Sequence, residues 1–153
     1  MTTSIFISIK NIEGTASEPN HTKWIEATSM KWETSNLTSN NKDKKNEKWE
    51  SLIFTKKIDS ASPKLFKMIK DGTSVEKMVV DICSGVSDGK DILSRADLHT
   101  CTLTQGEIEA IPGFSDPIEI FHVKFVDSVW KSEPDSKVSS KQAVPAAKNK
   151  KVR

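Results

Sequence analysis

Three histidines, His21, His99 and His122, are the candidates for proton transfer near neutral pH, and they are scattered over one loop-like and two strand-like stretches with no carboxylate or nucleophile pattern beside them. Packing or surface roles account for them more simply. Asp88, Asp91 and Asp97 could gather around a cation, but their spacing lacks the alternating acids, central glycine and terminal glutamate of a calcium loop. A solvated turn is expected there. Cys83 and Cys101 have no CxxC spacing and sit in strand-like segments, which suits reduced, buried thiols. Trp24, Trp32, Trp49 and Trp130 also fall in strand segments, where large rings fill a core or a subunit contact more often than they stack on a ligand. The expectation is a structural protein rather than an enzyme, with no metal and no cofactor.

The chain that must position these residues has 153 of them, enough for one domain and its tails. Only 35% are apolar, and the mean hydropathy of −0.48 is lean for an isolated globular monomer; it is ordinary for a protein whose polar surfaces also mate with copies of itself. Charge is uneven. From Lys131 to Arg153 there are seven basic and two acidic residues, a net charge of +5 that leaves −3 on the rest of the chain. The body is therefore not expected to grip nucleic acid, and any affinity for a polyanion would reside in Lys148–Arg153, for which a solvated tail is the simpler reading. Met1–Lys10 lacks the positive and continuous apolar regions of a signal peptide, and no stretch approaches a membrane span, so synthesis and folding in the cytoplasm are expected.

Strand signals dominate. Ser4–Lys10 is short and rich in β-branched and aromatic residues; Asn11–Asn20, with Gly14 and Pro19, reads as a loop. Across Lys23–Glu33, Trp24, Met30 and Trp32 share one phase while Ile25 and Ala27 take the other, predicting a bend near Thr28 within one long strand. Thr34–Lys48 has Leu37 as its only large apolar residue; unable to bury itself, it should project as a contact loop between two strands, the second being Trp49–Ile58. Ile58–Gly72 contains the one convincing helix, with Ser62 as its cap, Pro63 in its first turn, a stripe of Leu65, Phe66 and Ile69 with Met68 beside it, and Gly72 as its stop. Val75–Cys83 reads as a strand, and Ser84–Asp97, rich in Gly, Asp and Ser, as a connection. Leu98–Leu103 and Glu107–Ile111 alternate, Pro112-Gly113 turns, and Pro117–Trp130 is the strongest strand of all. Many short strands and one helix predict a mainly β fold: a small antiparallel barrel of two sheets with a helix at its side, spanning 1–130 and followed by a disordered basic tail over 131–153.

One stretch is more specific. Phe54-Thr55-Lys-x-Ile58-Asp59-x-x-Ser62-Pro63-x-Leu65 resembles the strand-to-helix passage of the Hcp (hemolysin-coregulated) tube proteins of bacterial type VI secretion systems. Phe6–Lys10 with Ile12 and Gly14 is similar to that family's opening, and His21, Ile25, Glu26 and Trp32 follow its second-strand pattern. The long loop, Gly-rich in the family, is here rich in Asn and Lys. The resemblance implies hexameric rings stacked into a hollow tube, driven out by a contractile sheath behind a spike, with effector proteins in the lumen and secretion without a signal peptide. For His21 it implies hydrogen bonding to the adjacent turn.

The physical reading complements this. A strand edge left open is completed by another copy, and a head-to-tail contact closes into a ring or grows without limit. The projecting loop is expected to reach the next ring through Asn36, Leu37, Asn41, Lys42, Lys44 and Lys45. Three alternatives stay open: a phage-type tail tube protein, a tube domain with a toxic extension, for which the tail is too short to fold as an enzyme, and a monomeric ligand-binding barrel.

Overall fold

Antiparallel pairing organises the chain because inward rows of apolar residues recur at period two. In a computed structural model that describes residues 2–36, 48–86, 89–114 and 116–132, the elements run β1 (Thr2–Ile9), a 3-10 turn at Pro19–His21, β2 (Ile25–Ala27), β3 (Ser29–Asn36), β4 (Lys48–Lys57), α1 (Ser62–Asp71), β5 (Ser74–Val86), β6 (Gly89–Glu109) and β7 (Ile118–Ser132). The strands form one seven-stranded sheet in the order β2-β1-β5-β6-β7-β4-β3, antiparallel at every step. Its two outermost strands are consecutive in sequence, separated only by Thr28. Ile25–Ala27 pairs with β1 and Ser29–Asn36 with β4, and the Thr28 N–H donates to the Thr55 carbonyl at 2.7 Å. The sheet therefore curls until its edges meet in one bent strand, with the change of phase where the sequence placed it.

Two features differ from expectation. The two sheets are one, because β5, β6 and β7, at 13, 21 and 15 residues, are long enough to wrap the barrel, helped by register shifts at Ile82/Cys83 and Leu103/Gln105. The stretch Ser84–Asp97 is not a connection but the arms of a hairpin, with Ser84 opposite Asp91 and Ile82 opposite Ser94. Ladder bonds to neighbouring strands carry low-propensity Gly, Ser and Asp there, since strand preference depends on surroundings more than on the residue. Likewise Leu98–Leu103 and Glu107–Glu109 belong to one bulged strand.

The core holds Ile7, Leu52, Phe54, Met78, Val80, Leu98, Phe121 and Val123, all fully buried. On the other side of the same wall, Phe6, Ala16 and Cys83 form a second buried cluster under Trp24 and Ile92. The segment between β1 and β2 is thus a cover rather than a plain surface loop. Gly14 permits the cover to close, because a Cβ there would lie 2.6 Å from the Trp24 carbonyl oxygen. Helix α1 buries Leu65 and Met68 and rests Phe66 and Ile69 over Gly106 of β6. Gly72, at φ 69°, ends it by donating back to Ile69.

Candidate functional site: an assembly surface and its supports

Lys56 lies in phase with Leu52 and Phe54 on the inward row of β4, so its ammonium group is carried into the barrel wall and is fully buried. There Nζ meets Asp59 Oδ1 at 2.6 Å, Glu119 Oε1 at 2.7 Å, Ser62 Oγ at 3.0 Å and the Lys57 carbonyl at 3.0 Å. Ser62 donates to Glu119 at 2.8 Å and accepts from the Asp59 N–H at 3.0 Å. The expected helix cap shifts accordingly. Ala61 occupies the cap position, Asp59 accepts its N–H at 2.9 Å, and Ser62 is the buried first residue of α1. Burying a cation is costly unless every donor is met, and here two carboxylates, a hydroxyl and a carbonyl meet it.

This cluster explains the spacing of the Phe54–Leu65 stretch. Phe54 packs on Phe121, their centroids 5.5 Å apart, and the Thr55 hydroxyl reaches Thr28 at 2.6 Å and Ser29 at 2.8 Å across the barrel seam. Asp59 and Ser62 close on Lys56, Pro63 stands exposed in the first turn, and Leu65 is fully buried. Ile58 points away, 54% exposed. Glu119 was not singled out from sequence, yet it too stands in the inward row of Phe121, Val123 and Phe125.

A second polar cluster occupies the outer face of the wall. His21, fully buried, has Nδ1 against Glu18 Oε1, the turn contact expected of it, and Nε2 against Asp81 Oδ2 at 2.7 Å. Arg95 grips Asp81 with Nε at 2.6 Å and Nη2 at 2.7 Å. Phe6 stacks on the imidazole at 4.3 Å and Trp24 meets it edge-on at 4.6 Å. Burial alone pushes the Asp81 carboxyl up, but hydrogen bonds and charge from Arg95 and His21 outweigh it and hold Asp81 below the usual carboxylate value. Glu18, Asp81 and Arg95 escaped the sequence reading; Asp81 lies 60 residues from His21, and no local pattern announces the pair.

His99 stands opposite Asp127 and Lys77 on β6, and His122 opposite Ile53 and Gln105 on β7, so the three histidines occupy separate places. Among the described residues no cluster of three or more His, Cys, Asp or Glu side chains could hold a metal ion; Asp97 lies 3.7 Å from Lys77 and 4.0 Å from Lys131, and Asp88 lies outside them. Both cysteines are buried, with the Cys101 thiol pushed up to about 12 by burial. Trp32 packs on Phe125 and Trp130 at 5.0 and 4.5 Å. Of the expected contact loop, Asn36 is the last residue of β3 and pairs with Lys48; Leu37, Asn41, Lys42, Lys44 and Lys45 lie outside the described residues. Of the tail expected over 131–153, Lys131 and Ser132 belong to β7, opposite Arg95 and Ser94, and 133–153 lies outside the described residues.

The family model described as "Type VI secretion system effector, Hcp" matches residues 6–131, all of the barrel but the first residues of β1 and the last of β7, together with both polar clusters. The chain belongs to the Hcp family. Its fold is similar to that of Hcp1 from Salmonella typhimurium, with a TM-score of 0.76 at 19% identity over 86% of this chain and 87% of that one. The secreted protein Hcp3 from Pseudomonas aeruginosa gives 0.68 at 15% identity, covering 87% and 92%. A chain of an extracellular contractile injection system, the PVC sheath-tube complex in its extended state, gives 0.56 at 13% identity, covering 84% and 88%. No curated protein sequence matches this Hcp chain.

Proposed function

We infer that the chain is a structural subunit of the type VI secretion tube, a ring-forming barrel without catalytic chemistry of its own. The observation that carries this is the Hcp family match across residues 6–131. In this reading six copies close into a ring, rings stack head to tail, and the hollow stack travels inside a contractile sheath behind a spike, with effector proteins in its lumen. The subunit is made in the cytoplasm and leaves through the device itself. Among the described residues no helix is long and apolar enough to cross a membrane.

Physical features support assembly. The barrel interior is filled by Leu52, Phe54, Met78, Leu98 and Phe121, which favours a self-mating wall over a ligand-binding cup. Strand β7 runs past the start of its pairing with β4: Glu50 faces Phe125, while Val126, Val129 and Trp130 beyond it are exposed. That overhang is an open strand edge with exposed apolar residues on both faces, Val126 and Trp130 on one and Val129 on the other, the type of surface another copy completes. The likeness to the PVC complex favours a second reading, a tube protein of a related contractile device, which shares the ring logic.

Negative-stain microscopy with light scattering tests the assignment. Annular particles with a central hole, of a mass near six chains, are expected; a single-chain species at every concentration would reject it.

A further inference from the structure

The cover between β1 and β2 is bonded to itself. The Gly14 N–H donates to the Lys23 carbonyl at 2.9 Å, Lys23 donates to the Ala16 carbonyl at 2.8 Å, and Ala16 donates to the Trp24 carbonyl at 3.0 Å. His21 closes the 3-10 turn on the Glu18 carbonyl at 2.8 Å. Among the described residues, every backbone-to-backbone hydrogen bond of residues 13–24 has both partners within that stretch. A strand depends on its neighbours for such bonds; this segment does not, so leaving the wall costs it none of its backbone pairing.

Side chains hold it down. His21 Nε2 meets Asp81 Oδ2 at 2.7 Å, the imidazole stacks on Phe6 at 4.3 Å, and Ala16 is buried with Phe6 and Cys83. At the root of the cover, Asn11, left-handed at φ 69°, turns the chain out of β1, Ile12 stays in the main core, and Ser60 Oγ donates to the Glu13 carbonyl at 3.0 Å.

The closed position also carries a cost. Glu18 Oε2 is buried, yet among the described residues it has no hydrogen-bond partner. A carboxylate oxygen without a donor is expensive to bury, and water meets it once the turn lifts. Nor does lifting isolate the groups it separates. His21 leaves with Glu18 at Nδ1, while Asp81 stays with the two Arg95 nitrogens at 2.6 and 2.7 Å.

We propose that residues 13–24 are a lid that opens as one unit while the barrel stays folded, uncovering Phe6, Asp81 and Cys83 on the outer face of the wall. Segments of this type open at a free energy below that of global unfolding. The device goes beyond the ring reading and does not depend on it. The two cysteines report on it separately, because Cys83 lies beneath the lid and Cys101 in the main core, both fully buried.

The test is thiol labelling of the full chain with iodoacetamide under native conditions, each cysteine followed by peptide mass at reagent levels where the rate is first order in reagent. Well below the urea midpoint, Cys83 is labelled at a rate nearly independent of urea, because opening the lid exposes little surface. Cys101 labelling climbs steeply, because it waits for global unfolding. Gly106→Ala, which loosens α1 on the barrel, speeds Cys101 about five-fold and leaves Cys83 unchanged. His21→Ala removes the pin and speeds Cys83 at least about ten-fold; Asp81→Asn does the same and serves should His21→Ala not fold. Equal urea dependence at the two cysteines, or Gly106→Ala speeding both alike, overturns the proposal, since the cover then leaves only with the whole fold. Cys83 labelling indifferent to both His21→Ala and Asp81→Asn overturns it too, and places the opening in the β5–β6 hairpin instead.

Discussion

The Lys56 cluster draws all its partners but Glu119 from the stretch Lys56–Ser62, whereas the His21 cluster gathers Phe6 from β1, Glu18 from the turn, Asp81 from β5 and Arg95 from β6. The first pins a strand to the helix that follows it; the second pins a cover to a wall already built. Their exposure differs as well. Lys56 and Glu119 are sealed, while the Arg95 side chain keeps 38% of its surface in water. A partner lost from the sealed cluster strands a charge, whereas one lost from the other can be replaced in part by solvent.

That contrast is broken most severely by Lys56→Ala, which leaves Asp59 and Glu119 facing each other without a counter-ion. A loss of about 3–5 kcal/mol is expected, read as a lower urea midpoint at fixed protein concentration. Pairing Lys56→Met with Glu119→Leu removes both charges at similar volume and recovers most of the loss. If the double variant is no better than the single, the buried charge is not what the cluster is built around.

Asp81→Asn comes next, at about 2–3 kcal/mol, because it leaves His21 and Arg95 with a neutral acceptor but lets Arg95 turn to water. The two clusters are served by different elements and face opposite sides of the wall. Combining Asp81→Asn with Lys56→Ala is therefore additive to within about 0.5 kcal/mol in the same urea measurement. A larger coupling would mean that cover and helix form one cooperative unit.

The same contrast separates what the sequence discloses from what it hides. Lys56 and Glu119 each stand in an inward apolar row, and the Phe54–Leu65 spacing marks where the row turns into a helix, so that cluster was within reach of a period-two reading. The bend at Thr28 and the turn at Pro112-Gly113 were equally local. Asp81 reads as one more polar residue of a strand, and only the register Phe6↔Asp81↔Arg95 makes it the centre of anything. The misreading of Ser84–Asp97 has the same root, since pairing with distant strands overrode the preferences of Gly, Ser and Asp.

Two glycines sharpen the difference between cover and helix. In Gly14→Ala the new Cβ meets only backbone, the Trp24 oxygen at 2.6 Å and Ile25 Cα at 2.7 Å, so the cover must lift at a cost of about 2 kcal/mol. In Gly106→Ala it meets the ends of flexible side chains, Ile69 Cδ1 at 2.7 Å and Phe66 Cε1 at 2.8 Å, and about 1 kcal/mol is expected. Thermal melts of the two variants rank them; the reverse order would place the rigid contact under α1.

The smallest effect is on acid stability, and its sign follows from Asp81. Its carboxyl titrates below the ordinary 3.8 in the folded chain because Arg95 and His21 stabilise the charged form more than burial penalises it. Folding therefore gains from the ionised group at any pH above that value, and the gain is lost as pH falls through the lower, folded-state value. In Asp81→Asn nothing titrates at this site. The gap between wild type and variant in urea midpoint is accordingly wider at about pH 5 than at about pH 3. A gap that stays constant, or widens in acid, would show that the Arg95 and His21 bonds do not favour the carboxylate, and the outer cluster would then be held by the packing of Phe6 and Trp24 around the imidazole.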